Sequence, residues 1–318
     1  MNQAVEARRG VVAACTAFLI WGMFPLYLHP LVGVPAVEIL AHRVAWCLPC
    51  VLLWLAWKGQ LDQVAAALVE PRTLARLVLS ALLMAVNWWV YTWAVVSGRV
   101  LEASLGYFIG PLVNILLGVS ALGERLNPRQ WLAVGLAAAG VGWMTVAAGG
   151  LPWVSLTLAV SFGIYGMVRK TAPVAAVPGL TVETLLLAPI AMGWLWFFGP
   201  GTLSKSLATD PLVSLLLACA GLATALPLAL FATGARLIPY SVMGLITFIG
   251  PSLQWLLGVT LYHEPFSGAK AIGFAIIWSG VIVFIADGFL TGGAVGRRAP
   301  RPADTGPGSP SSGSRDPR

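Results

Sequence analysis

Phe108-Ile109-Gly110-Pro111 recurs in this chain as Phe248-Ile249-Gly250-Pro251. At the same offset of 140, Leu116-Leu117-Gly118-Val119 recurs as Leu256-Leu257-Gly258-Val259, Glu124 matches Glu264, and Gly140-Val141 matches Gly280-Val281. Trp21-Gly22 echoes Phe162-Gly163, and Val34-Pro35 followed by Glu38 echoes Val177-Pro178 followed by Glu183. Such self-similarity marks a duplicated architecture. Around these pieces lie apolar runs of about 20 residues, the length that crosses a bilayer as a helix. Ten are read: 11–29, 35–57, 75–96, 101–121, 129–148, 151–168, 180–199, 211–232, 239–261 and 269–288. Five crossings per copy is an odd number, so the second copy enters the membrane upside down. The expected fold is all-α: a polytopic membrane protein with ten transmembrane helices in two inverted five-helix repeats. The repeats cover 1–150 and 151–290. The Gly-, Pro- and Ser-rich stretch 291–318 is expected to be a disordered cytoplasmic tail.

Composition agrees with a lipid environment. Of 318 residues, 58% are hydrophobic and 10% charged, against about 25% charged in soluble domains. The net charge of +7 does not argue for nucleic acid, because the cations sit between apolar runs and form no cluster with a fold of its own. They sort instead by side. With the N-terminus inside, the cytoplasmic face receives Arg8, Arg9, Lys58, Arg72, Arg76, Arg125, Arg129, Arg169, Lys170, Arg236, Arg297 and Arg298. The outer face receives Arg99, Lys205 and Lys270. Both termini are therefore expected in the cytoplasm of a bacterial inner membrane. No cleavable signal peptide is expected: the first apolar run is long and aromatic, and no small-residue cleavage site follows.

Cys47 and Cys50 form a C-x-x-C inside an apolar segment, without a second pair, and read as core or lipid-facing thiols. His29, His42 and His263 lack metal-ligand spacing, and no nucleotide-binding or hydrolase motif is present. The chain reads as a non-enzyme without metal or cofactor.

Candidate substrate contacts come from polar residues within apolar runs. Pro111 frees the Tyr107 carbonyl and Pro251 that of Thr247, so both prolines are expected to kink their helices. Tyr107, Gly110, Asn114 and Gly118 share one helical face, and Thr247, Gly250, Gln254 and Gly258 share the matching one. These stripes line a cavity, or they serve close helix packing. Glu38, His42 and Arg43 form an ionisable group in the second run, where such residues are expensive unless they face a cavity or each other. Glu38 could pair with Arg43, or act with His42 on a proton; an interfacial position one turn into the helix is the plainer alternative. Asn87 and Trp88 lie in the middle of the third run, with Trp89 beside them. Glu102, near Arg99, suits a helix N-terminus. Glu183 mirrors Glu38, and Glu124 and Glu264 read as structural.

The run Leu101-Glu102-Ala103-Ser104-Leu105-Gly106-Tyr107-Phe108-Ile109, with Pro111-Leu112-Val113-Asn114-Ile115 and Leu122-Gly123-Glu124-Arg125, closely resembles the RarD proteins of the EamA branch of the drug/metabolite transporter superfamily. Trp21-Gly22, Glu38-Ile39-Leu40-Ala41-His42-Arg43, Asn87-Trp88, Tyr165-Gly166, Val168-Arg169-Lys170 and Ile249-Gly250-Pro251 extend the likeness over about residues 8–290. Gly110 stands where the family often has Asn. The resemblance implies a ten-helix inner-membrane permease with both termini inside. It assigns no binding residues. The expected partners are a small metabolite or drug-like substrate and the lipid bilayer, and homodimer formation is left open. The rival classes are a non-transporting membrane sensor or assembly protein, disfavoured by the lack of a soluble domain, and an intramembrane enzyme, disfavoured by the lack of paired catalytic groups.

Overall fold

A computed structural model describes residues 2–122, 127–148, 150–198, 210–238 and 246–295. The described residues are helical throughout, with no strand among them. The elements are α1 (Asn2–Gly22), α2 (Phe24–Leu28) with a 3-10 turn (His29–Leu31), α3 (Ala36–Lys58), α4 (Leu61–Val69), α5 (Pro71–Val96), α6 (Val100–Leu122), α7 (Pro128–Ala148), α8 (Trp153–Thr171), α9 (Ala176–Phe197), α10 (Pro211–Leu237), α11 (Ile249–Thr260) and α12 (Gly268–Val295). Helix is the form that satisfies every backbone group inside a span without water. Six of these helices are long and apolar enough to cross a membrane. There are seven if the bent pair Val5–Gly22 and Phe24–Leu31, which turns by 40°, is one span.

Two helix starts are built alike. Glu70 accepts from the Arg72 and Thr73 amides at 3.3 and 2.5 Å, and Asp210 from the Leu212 and Val213 amides at 2.8 and 3.4 Å. Each caps a helix whose first residue is proline, the position where a missing N–H costs nothing. The helix α4 was not expected. Its nine residues are too few to span, and it buries Val64 and Ala67 against its neighbours. The expected run 239–261 appears as a turn at Thr247–Phe248 followed by α11, while 239–245 and the tail from 296 lie outside the described residues. Pro251 sits in the first turn of α11. α6 runs on through position 111, and the side chain of Pro111 lies outside the described residues.

The exterior is apolar and the interior carries the polar groups. Trp57, Val146, Ile190 and Trp196 face outward. Glu38, Arg43, Asn87, Thr92, Glu183, Thr224 and Gln254 are buried. That inversion suits lipid as solvent. The main helix pairs are α1 with α10 and α11, α3 with α9 and α10, α5 with α8 and α9, α6 with α8 and α11, and α7 with α12. Small residues allow the closest approaches: a Cβ at Gly140 would lie 2.5 Å from Ile277 Cγ1, and one at Gly280 would lie 2.8 Å from the Ala133 carbonyl.

Candidate functional site

Arg43 stands two turns into α3 and is 5% exposed. Five positions along a helix turn the side chain through about 140°, so Arg43 points away from Glu38, and no carboxylate of the described residues pairs with it within 4.0 Å. It reaches other helices instead. Its Nε donates to Thr224 Oγ1 of α10 and its Nη1 to Thr92 Oγ1 of α5, each at 3.2 Å. The guanidinium carbon lies 4.8 Å from the Phe24 ring and 4.9 Å from that of Trp88. Tyr27, Tyr91, Tyr107 and Cys47 are close enough to interact with its charge. The Tyr91 and Tyr107 rings are 5.8 Å apart, and Tyr107 Oη donates to Asn87 Oδ1 at 3.4 Å. Asn87 in turn donates to the Leu158 carbonyl and to Ser161 Oγ of α8 at 3.1 and 3.0 Å. Arg43, Trp88, Asn87 and Tyr107 are thus brought together. An apolar groove of about 460 Å³, lined by Leu19, Met23, Phe24, Tyr27 and Ala223, opens at the protein's surface beside them.

The other candidates are dispersed. His42 accepts from Trp46 Nε1 at 3.2 Å on its own helix, and its Nε2 is buried without a hydrogen bond. Glu38 is buried near the start of α3. Gln254 donates to the Trp21 carbonyl at 3.1 Å where α11 crosses α1. Thr247 is half-buried in the turn before α11, and the side chain of Asn114 lies outside the described residues.

The sequence likeness sets Glu183 against Glu38, and the helix bounds offer a second alignment. α3 starts at Ala36 and α9 at Ala176, and their internal prolines are Pro49 and Pro189. The offset is 140 both times, an alignment that sets Glu183 at the position of Arg43. Glu183 accepts from Ser80 Oγ at 2.5 Å and from Tyr165 Oη at 3.4 Å, and it pairs with Arg169 Nε at 3.6 Å. Only the equal spacing of the two prolines could have signalled this.

Polar ties join the helices in two separate groups. In one group Tyr262 Oη donates to the Pro25 carbonyl at 2.8 Å, Tyr27 Oη to the Leu216 carbonyl, Ser104 Oγ to the Pro251 carbonyl at 2.9 Å, and Ser155 Oγ to the Glu102 carbonyl at 2.6 Å. Arg99 and Glu102 form a surface pair at 3.8 Å, of the kind that contributes little. The Arg169–Glu183 pair belongs to the other group, about 20 Å away along α8.

Glu264, in the turn after α11, accepts from the Val100 and Leu101 amides that open α6. Burial pushes its carboxyl from the usual 4.5 up to about 7; the two amides and Lys270 pull it back, and Glu102 adds to the rise. The folded state then holds the proton more tightly than the unfolded chain. Its contribution is most favourable below 4.5 and is lost as pH rises through 7. Glu264→Gln keeps the acceptor and removes the titration. The wild-type chain is expected to lose thermal stability between pH 5 and 8, and the variant to lose measurably less; equal slopes for the two would contradict this account.

A polar, partly aromatic interior inside a coat of long apolar helices defines a polytopic membrane protein. Residues 8–146 match the profile of the EamA-like transporter family. An uncharacterized transporter of Pseudomonas aeruginosa is 44% identical, over 93% of this chain and 98% of its own. The uncharacterized transporter YojE of Bacillus subtilis is 42% identical, over 89% and 95%. The protein RarD of Escherichia coli is 40% identical, over 91% and 97%. The chain belongs to this EamA family, within its RarD-named group. A crystal structure of another protein, 22% identical, superposes with a TM-score of 0.55 over 87% of this chain and 96% of its own, a likeness of fold alone.

Proposed function

We propose that the chain is a secondary transporter that moves a small organic molecule by alternating access between two inverted five-helix repeats. Both termini lie in the cytoplasm and ten spans cross the inner membrane. The observation that carries this reading is the packing pattern. Exchange α1 with α8, α3 with α9, α5 with α10, α6 with α11 and α7 with α12. The pair α1–α10 becomes α8–α5, α6–α8 becomes α11–α1, and α3–α10 becomes α9–α5, all of them packed pairs, while α3–α9, α6–α11 and α7–α12 map onto themselves. The offset of 140 in the starts of α3 and α9, of α5 and α10, and of α7 and α12 supports the same reading. Two such halves offer two equivalent arrangements around one site. The two groups of polar ties are the natural gates, opening in turn.

Substrate contact is assigned to Arg43, Trp88, Asn87 and Tyr107. Reporters fused at the two termini are expected to fall on the same, cytoplasmic side; termini on opposite sides would end the inverted-repeat reading. In proteoliposomes, a pool of radiolabelled metabolites is expected to yield at least one that enters only with the protein. Tyr107→Ala should cut that flux about tenfold, a loss of ~1.4 kcal/mol, while the amount of inserted protein stays unchanged. Undiminished flux in Tyr107→Ala would remove this residue from the site, and no protein-dependent flux at all would favour a sensor or assembly role.

A further inference from the structure

Arg43 carries a charge that a protein cannot remove. Burying such a charge is costly unless it meets an opposite one. Among the described residues it meets only neutral partners: two threonine hydroxyls at 3.2 Å and two aromatic rings at 4.8 and 4.9 Å. Two of the five N–H donors of a guanidinium are used, and the others make no hydrogen bond among the described residues. Against the same Phe24 ring, at 6.1 Å between centroids, stands Tyr91, a residue only 5% exposed whose hydroxyl is buried with no hydrogen-bond partner among the described residues. These are independent deficits, one of charge and one of hydrogen bonding, in the same place. The opposite half provides the contrast. There Glu183, which the helix bounds align with Arg43, has its countercharge from Arg169 at 3.6 Å.

We propose that Arg43 and Tyr91 form an anion site and that its ligand, the transported molecule if the transport reading holds, is a monocarboxylate with an apolar or aromatic body. The guanidinium fork matches a carboxylate in geometry and charge, and the Tyr91 hydroxyl adds a third donor. Phe24 and Trp88, already flanking the cation, offer flat apolar walls to the rest of the molecule. A single charge is specified because none of the contacts that Arg43 makes among the described residues is with a second Lys or Arg, and a dianion such as a phosphate monoester would bring an uncompensated charge into the span.

The test uses the full chain in nanodiscs of zwitterionic phosphatidylcholine, so that no lipid supplies the anion. Phenylacetate, benzoate and hexanoate are titrated at constant ionic strength against phenylacetamide, benzamide and hexanamide, with melting temperature and tryptophan fluorescence as readouts. At least one acid is expected to bind and raise the melting temperature, and its amide to bind ~10- to 100-fold more weakly, the loss of hydrogen bonds to a charged group. Arg43→Gln should reduce acid binding by a similar factor, and Arg43→Lys should restore part of it. Should Arg43→Gln fail to fold, Tyr91→Phe, which deletes one oxygen, is expected to weaken the acid about 3- to 10-fold and leave the amide unaffected. Acid and amide binding equally well, acid binding unchanged in both variants, or none of the acids binding would each overturn the proposal. Neutral solutes crossing proteoliposomes while no acid binds would sink the carboxylate assignment alone. Acid binding without any flux would sink the transport reading alone.

Discussion

Arg169→Leu is expected to destabilise the protein by about 3–5 kcal/mol, and Glu183→Gln added to it to restore most of the loss. Glu183 is 2% exposed and Arg169 12% by side chain, with 3.6 Å between the charges. Removing the guanidinium leaves a carboxyl sealed between α5, α8 and α9, with only Ser80 and Tyr165 to donate to it. It must then hold an uncompensated charge or take up a proton, and both cost free energy. The reverse single change is milder. In Glu183→Gln, Arg169 keeps its hydrogen bonds to the Ala175 and Ala176 carbonyls at 3.1 Å, near the end of its helix. Gly179 sets the space for this arrangement, since a Cβ there would lie 1.9 Å from Arg169 Nη1. The measurement is thermal unfolding in detergent of the two single variants and the double variant. A double variant no more stable than Arg169→Leu would mean that the orphaned charge is not the cause, and the gate proposed at this pair would lose its basis.

The parts of the fold written locally were open to reading. Apolar length marks the long helices, and the acid–proline pairs Glu70-Pro71 and Asp210-Pro211 mark two of their starts. The recurrence of Phe-Ile-Gly-Pro at 108 and 248 stands in the sequence itself and needs no structure. The pairing of Glu38 with Arg43 could have been weighed more strictly, because helical geometry alone turns them about 140° apart. What Arg43 meets instead could not be read, since Thr92 and Thr224 lie 49 and 181 residues away and arrive only through helix packing. The same holds for Tyr91, which draws its meaning from being near Arg43 and was not singled out. α4 was missed for a related reason: nine residues are a marginal helix by themselves, and this one is stabilised by the surface it covers.

Gly221→Leu is expected to abolish the folded protein, and Gly221→Ala to leave it folded but destabilised by about 1–3 kcal/mol. At this position α10 lies directly on the backbone of α3. A Cβ on Gly221 would stand 2.0 Å from the Trp46 carbonyl carbon, 2.2 Å from its oxygen and 2.4 Å from the Cys47 nitrogen. The obstacle is backbone, so no side chain can rotate away; the helices themselves must separate. That separation reaches the site, because Thr224, one turn along α10, holds Arg43 Nε at 3.2 Å. Gly221→Ala should therefore weaken ligand binding as well as stability, although residue 221 has no side chain at the site. Gly142→Ala is the control. Its Cβ would meet nothing within 4 Å, and alanine is the better helix former by about 0.5–1 kcal/mol, so that variant should be at least as stable as the wild type. Size-exclusion profiles and melting temperatures of the three variants decide the matter. A Gly221→Ala protein that melts with the wild type would show that α3 and α10 do not cross this closely, and with that contact would go the link between Thr224 and Arg43.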